Sequence, residues 1–333
     1  MRLRVGIVSL TVAAATIGGA AAWASTVVAE GSQPVRDQVA AAGAESRAPA
    51  RLSRPHWSPS PSPRPTASPV IEVTGSPSGV KAKGAVLADA DTGQILWGRD
   101  VDTERPMASV TKVMTALLVL ESGNLGREIG VPGAADSYAW KYGGESAGLH
   151  PGDVLTAQEL LAALLLPSGA DAAYTLANAY GPGLNAFIAR MNATAAQLGM
   201  EDTHFASPDG LPYPTETSTY STPSDLLALG VAAMRYPAFR SIVDLRFYHL
   251  PKGPGHHEYW WDNTDDLIGS YQGALGIKDG YTDDAGHCLL FEATRNGRTL
   301  IGVVQDSPAT GTAAGAQDAG RMLNWGFGLR PTG

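Results

Sequence analysis

The sequence predicts an α+β fold whose single antiparallel sheet is built from both ends of the folded part. Three observations predict it. A β-rich hairpin pattern opens the folded part near residue 84. Apolar residues at helical spacing fill the middle of the chain. Strand-like runs then return between residues 273 and 307, joined by the tight-turn pair Asn296-Gly297. Strands at both ends with helices between them close most simply into one sheet.

The elements follow in order. "GAVLADADTGQILWGRD" reads as two strands around the turn Asp91-Thr92-Gly93. "MASVTKVMTALLVLE" reads as a helix that starts just after Pro106. "TAQELLAALLL" and "SGADAAYTLANAYG" read as two helices broken at Pro167. "LNAFIARMNATAAQLG" is amphipathic, with Gly199 as its stop, and "STPSDLLALGVAAMR" opens on a cap. "AGAQDAGRMLNWGFG" is a closing helix. The sequence carries no internal repeat.

The residues before the hairpin have a different composition. "MRLR" is a short basic start, followed by an uncharged Ala/Gly-rich run and the small-x-small pattern Ala22-Trp23-Ala24. Residues 1–29 therefore read as a secretory signal, or as an uncleaved N-terminal membrane anchor. Residues 30–79 include "RPHWSPSPSPRPTASP", too rich in Pro and Ser to bury a core, and read as a disordered tether. Residues 80–330 form the expected domain. An extracytoplasmic location follows, either secreted or held at the cell envelope.

Composition excludes some functions. The chain of 333 residues is 44% hydrophobic, enough for one large or two modest cores. Formal net charge is −8 and no basic stripe is present, so nucleic acid is not an expected partner. The one cysteine, Cys288, can build neither a disulfide nor a cysteine metal site, and it reads as a buried thiol. The seven histidines form no metal motif: His256 and His257 are adjacent and read as loop residues. Tyr259, Trp260 and Trp261 read as core. Asp283 and Asp284 read as a solvated turn. No metal and no organic cofactor is expected.

Ser109 and Lys112 carry the chemistry. Positions i and i+3 share a helix face, so the spacing sets the lysine amine beside the serine hydroxyl. A helix N-terminus favours the negative charge that develops on that oxygen. Lys112 can act as a base only when its pKa is lowered, by burial and by a second cation. It would then take the Ser109 proton and make the oxygen a nucleophile for acyl transfer. Four residues with two fixed are a weak motif, and the longer match Pro-x-Ala-Ser-x-Thr-Lys-x-Met-Thr-Ala is a strong one.

Over residues 81–327 the sequence resembles the serine D-alanyl-D-alanine carboxypeptidases, the low-molecular-weight penicillin-binding proteins. "DADTGQILWGRDVDTERPMASVTKVMTALLVLE", "GLHPGDVLTAQELLAALLLPSGADAA", "FASPDGLP", "GIKDGYTDDAGHCLL" and "AGRMLNWGF" carry the resemblance. It implies a β-lactamase/transpeptidase-like fold: a five-stranded antiparallel sheet flanked by helices, plus a helical subdomain, with the site between them. It implies Ser109 as nucleophile, Lys112 as its base and Ser168 as proton relay to the leaving group. Lys278 would be the second cation, near Lys112 and Ser168. The N–H groups of Ser109 and Tyr281 would form the oxyanion hole, and Gly280 would let the strand lie close to substrate. It implies peptidoglycan stem peptides as substrates, β-lactams as covalent ligands, and a monomer. The chain stops soon after the closing helix, which implies neither the C-terminal β-domain nor the anchoring helix that some relatives carry.

Two site positions depart from the family pattern. The S-x-N motif reads Ser168-Gly169-Ala170, and the K-T-G motif reads Lys278-Asp279-Gly280. Losing one Asn hydrogen bond at 170 is expected to cost about 1–3 kcal/mol. An aspartate at 279 stands where the resemblance places the substrate carboxylate. At about 4 Å and an effective dielectric of ~20 the repulsion is about 4 kcal/mol, less if Asp279 is protonated or paired with Lys278. Asp265 and Asp266, where relatives tend to carry Asn-Thr-Asn, are a smaller departure. The alternative reading is therefore a catalytically impaired or respecialised homologue, either a wall-binding pseudoenzyme or an endopeptidase. A β-lactamase would need an acid for the deacylating water, and neither Glu145 nor Glu159 falls in such a motif.

Overall fold

The computed structural model describes residues 71–308, 311 and 313–330. The expected leader and most of the expected tether lie outside the described residues. Of residues 71–79, which composition assigns to the tether, Ile71 and Pro77 are buried and the others exposed. Ile71 is buried against Leu96. Its N–H donates to Gln94 Oε1 and its carbonyl accepts from Gln94 Nε2, both at 2.9 Å. The packed chain is thus under way at Ile71 rather than Val80, because an apolar side chain there finds a place in the core.

The chain opens with β1 (Gly84–Asp89), β2 (Ile95–Arg99) and the short β3 (Arg105–Pro106). A 3-10 turn, Ala108–Thr111, leads into α1 (Lys112–Glu121). Then come β4 (Glu128–Gly130), α2 (Ala135–Lys141), β5 (Val154–Thr156), α3 (Ala157–Leu165), α4 (Ala170–Tyr180) and α5 (Leu184–Gln197). After β6 (Tyr220–Ser221) follow α6 (Pro223–Ala233), α7 (Pro237–Val243), β7 (Phe247–Leu250) and β8 (Tyr259–Asp262). The chain closes with β9 (Ala274–Thr282), β10 (Gly286–Arg295), β11 (Arg298–Ser307) and α8 (Ala314–Gly328).

The five-stranded antiparallel sheet has the order β2-β1-β11-β10-β9. It joins the first and last strands, as the sequence predicts. Asn296 and Gly297 both take positive φ, 53° and 76°, the geometry a two-residue hairpin turn requires. Side chains alternate across the sheet. Leu289, Phe291 and Ala293 pack with Met322 and Leu323 of α8 on one face. Cys288 and Leu290 join the larger core of the helical part on the other.

The predicted helices are present, and local chemistry sets their ends. Thr156 caps α3 through a capping box with Glu159. Thr222 caps α6, with Pro223 in its first turn. α1 is buried on almost every side and forms the axis of the helical part.

Two local expectations differ. Pro106 lies just upstream of the helix, as expected, and pairs with Tyr220 in a two-residue ribbon. The helix of residues 107–121 begins as a 3-10 turn, Ala108–Thr111, whose first residue takes a positive φ of 47°. Trp260 is not core. The β8 alternation buries Tyr259 and Trp261 and leaves Trp260 63% exposed, stacked on His249. Asp283 and Asp284 form an exposed turn. Among the described residues no single helix is long and apolar enough to cross a membrane.

Candidate active site

Ser109 lies on the 3-10 turn and Lys112 is the first residue of α1. Their spacing brings Lys112 Nζ to 2.8 Å from Ser109 Oγ. The amine also donates to the Asp209 carbonyl at 3.1 Å. Lys112 is fully buried, and burial pushes its ammonium down to about 8. The Asp209 carboxylate opposes that shift and the Lys278 charge adds to it. A lysine so placed is neutral often enough near neutral pH to accept a proton.

The Ser207–Leu211 loop holds this pair in position. Thr115 Oγ1 of α1 donates to the Pro208 carbonyl at 2.6 Å. Asp209 Oδ1 accepts from Ser207 Oγ at 2.8 Å and from the Leu211 N–H at 3.0 Å, which folds the loop on itself. Gly210 has φ +82°, and a Cβ there would stand 1.9 Å from the Ala108 carbonyl oxygen. Only glycine fits. Burial and the Asp209 carboxylate also push the Tyr138 hydroxyl of α2 well above its ordinary range.

Ser168 sits in the α3–α4 connection, buried, with φ +62°. A non-glycine residue held in the left-handed region is strained, and such strain gathers at functional sites. Ala108 is a second case beside the same serine. Asp171, three residues on, is buried and accepts from Ser146 Oγ and from the N–H groups of Ala147, Leu149 and Ala172. It pins the 145–149 loop to the start of α4.

Ala170 faces an occupied space rather than an opening. It is buried in a small apolar cluster with Ala139 and Leu211. Its Cβ lies so near Gly144 that a Cβ at 144 would be 2.9 Å away. The smaller side chain is matched by the α2 loop packing in against it.

β9 is one of the two edges of the sheet and packs against the 3-10 turn. Gly280 meets Ser109 there: a Cβ at 280 would be 2.7 Å from the Ser109 nitrogen. Tyr281 is the next residue along this edge. An unpaired edge beside a nucleophile offers backbone groups to an extended peptide.

Lys278 and Asp279 leave β9 on opposite faces and meet at its free edge. Lys278 is buried, and its Nζ lies 2.5 Å from Asp279 Oδ1. Thr264 Oγ1 donates to the same oxygen at 2.7 Å. Burial pushes the Asp279 carboxyl up, but the Lys278 charge and these hydrogen bonds hold it below its ordinary value. Asp279 is therefore ionised and paired, the case in which repulsion is smallest. Lys278 was expected near Lys112 and Ser168. It acts on Lys112 through its charge, yet its hydrogen bonds go to Asp279 and Thr264 at 2.5 and 3.5 Å. Among the described residues none goes to Ser168, because Asp279 offers a full counter-charge closer by.

The structure thus brings Ser109, Lys112, Lys278, Asp279 and Gly280 together by contact. Sequence reasoning missed Asp209 and Thr264, and it noted Asp265 only as a small departure. Asp209 lies in the quoted "FASPDGLP", but its role is a backbone carbonyl, which no side-chain pattern marks. Thr264 acts only through a neighbouring strand. Asp265 is buried, and burial together with the Asp279 charge pushes its carboxyl up to about 7. Among the described residues no group of three His, Cys, Asp or Glu is placed to hold a metal ion.

With this geometry known, comparison with other proteins decides the family. The profile of the D-alanyl-D-alanine carboxypeptidases matches residues 71–309. The chain belongs to the D-alanyl-D-alanine carboxypeptidase family. A D-alanyl-D-alanine carboxypeptidase of Streptomyces sp. strain K15 is 38% identical over 262 residues, 75% of this chain and 88% of that one. D-alanyl-D-alanine carboxypeptidase DacB2 of Mycobacterium tuberculosis is 38% identical over 251 residues, 74% of this chain and 82% of that one. The crystal structure of the Streptomyces K15 DD-transpeptidase superposes with a TM-score of 0.71 at 36% identity, covering 77% of this chain and 100% of that one. That enzyme thus shares the overall α+β architecture described above.

Proposed function

We propose that this protein is a serine D-Ala-D-Ala carboxypeptidase that acts on peptidoglycan stem peptides through an acyl-enzyme on Ser109. The observation that carries the reading is the 2.8 Å contact between Ser109 Oγ and a buried Lys112 whose pKa is pushed down to about 8. Family membership supplies the substrate class.

In this reading Ser109 Oγ attacks the carbonyl of the penultimate D-alanine and Lys112 takes its proton. The N–H groups of Ser109 and Tyr281 hold the oxyanion. Ser168 passes a proton to the leaving amine, D-alanine departs, and water hydrolyses the ester. Lys278, Asp279, Gly280 and Tyr281 line the substrate side along β9, and Ala170 backs the Ser168 turn. No cofactor takes part. β-Lactams acylate the same oxygen.

The work is extracytoplasmic, since that is where the wall lies. Residues 1–29 serve as the export signal or anchor, residues 30–79 as tether up to the packed segment, and residues 80–330 as the catalytic domain, acting as a monomer. The Lys278–Asp279 pair favours a second reading within the same chemistry, a respecialised DD-peptidase.

Covalent labelling with a fluorescent penicillin, followed by peptide mapping, tests the proposal. Label on Ser109 that disappears in Ser109→Ala, together with D-alanine release from a stem peptide, is the expected result. A folded protein that takes no label is a non-catalytic homologue, and the proposal fails.

A further inference from the structure

We infer that Asp279 determines specificity: its carboxylate fills the anion-binding place at Lys278, so the site favours acyl donors whose leaving amine has no carboxylate beside the scissile bond. The inference rests on the acylation of Ser109 proposed above.

Covalent geometry fixes where a free C-terminus must go. Its carboxylate lies within about 4 Å of the scissile nitrogen, one Cα away. The nucleophile is Ser109, so this anion falls close to the β9 edge that Gly280 presses against Ser109. Lys112 and Lys278 are the two lysines of that region. Lys112 is committed to Ser109 Oγ and the Asp209 carbonyl. Lys278 is left as the natural anchor for a substrate carboxylate, and its charge is already matched by Asp279 at 2.5 Å.

Asp279 is also partly exposed at that edge, next to the Gly280 that abuts Ser109. Its side chain is 34% exposed and, with Thr264, Gly280 and Tyr281, lines a pocket of about 580 Å³. Asp265 and Asp266 line it too, and no lysine or arginine is among its described lining residues. Asp265 Oδ2 is buried without a hydrogen-bond partner. A carboxylate arriving beside Asp279 finds the Lys278 charge already matched and gains no attraction to offset its loss of hydration. A carboxamide meets the reverse, because its N–H can donate to Asp279. An internal peptide bond, or an end capped as an amide, has this chemistry.

The step itself is unchanged. The Ser109 Oγ–carbon bond forms and the carbon–nitrogen bond breaks. The serine proton reaches the leaving amine, and water then cleaves the ester.

Two matched N-acylated tripeptides ending in D-Ala-D-Ala test the inference, one as the free acid and one as the C-terminal carboxamide. Turnover of each is measured with the full-length protein, with Asp279→Thr and with the near-isosteric Asp279→Asn, after melting curves show that the variants fold. The wild type is expected to favour the carboxamide by about tenfold or more in kcat/KM. Both variants are expected to restore the free acid, chiefly through a lower KM. A wild type that prefers the free acid, or a ratio that neither variant moves, overturns the inference while leaving the acylation of Ser109 standing. If Ser109 takes neither tripeptide nor a fluorescent penicillin, the acylation reading fails and the inference falls with it.

Discussion

The backbone of Gly280 abuts the amide of Ser109, with no room for even one methyl group between them. A Cβ at 280 would stand 2.7 Å from the Ser109 nitrogen and 3.1 Å from the Ala108 Cβ. Gly280→Ala must therefore push β9 away from the 3-10 turn. The rest of the sheet is paired and has no reason to follow. The variant is expected to melt within a few degrees of the wild type and to lose roughly a hundredfold in acylation by penicillin, the order that misplacement of about 1 Å costs. Acylation within a factor of a few of wild type would show that this contact does not position the nucleophile.

The Lys112 environment sets a pH dependence with a definite sign. The base is the neutral amine, and its pKa is pushed down to about 8. Acylation should rise with pH and level off above about 8. Lys112→Arg keeps the charge and cannot deprotonate, so it should lose about two to four decades of rate and the inflection with it. The same shift acts on stability. Between about 8 and the ordinary lysine value of 10.5 the unfolded chain binds more protons than the folded one, so this group makes stability rise with pH across that window. A pH–rate profile and melts from pH 7 to 10 check both.

Asp265 carries the opposite sign. Burial and the Asp279 charge push its carboxyl up from 3.8 to about 7. Between those values the folded protein binds the extra proton, so this group makes stability fall as pH rises through the window. Asp265→Asn keeps the oxygen that accepts from the Leu267 N–H at 2.9 Å and removes the charge. It should stabilise the protein at pH 8 by about 1–3 kcal/mol, with little gain at pH 4. Equal effects at the two pH values would refute the assignment.

Ala170→Asn writes the family residue back into the motif, yet it should not restore the family function. The space is closed by Gly144 and Leu211. A larger polar side chain there must displace the α2 loop, at a cost of about 1–3 kcal/mol. A lower melting temperature and no gain in penicillin acylation are expected. A faster variant of unchanged stability would show that the loop makes room.

Much of this was legible in the sequence because local chemistry and global fold agree. Thr156 and Thr222 stand where caps are needed, and Asn296-Gly297 stands where a tight turn is needed. The Ser109–Lys112 contact follows from helical spacing alone, even though the first turn is 3-10. What stayed hidden comes from non-local contact. The Lys278–Asp279 pair was considered, but its anchoring by Thr264 depends on how the β8–β9 connection runs past the strand. Trp260 read as core because composition does not say which face of a short ribbon meets the protein. Lys112 is aimed by a backbone carbonyl at Asp209, which only the fold can supply. Ala170 read as a missing group, and the structure shows its space filled from the α2 side.

The sheet joins β1 to β11, and Ser109 meets Gly280 only once β9 is in place. The nucleophile and its base are therefore made early in synthesis and stay half a site until the last strands arrive. A chain cut just before β9 would have no edge to align a peptide against Ser109. Contacts so distant in sequence form slowly. Completion of the site therefore waits on β9, near the end of the chain, rather than on the serine.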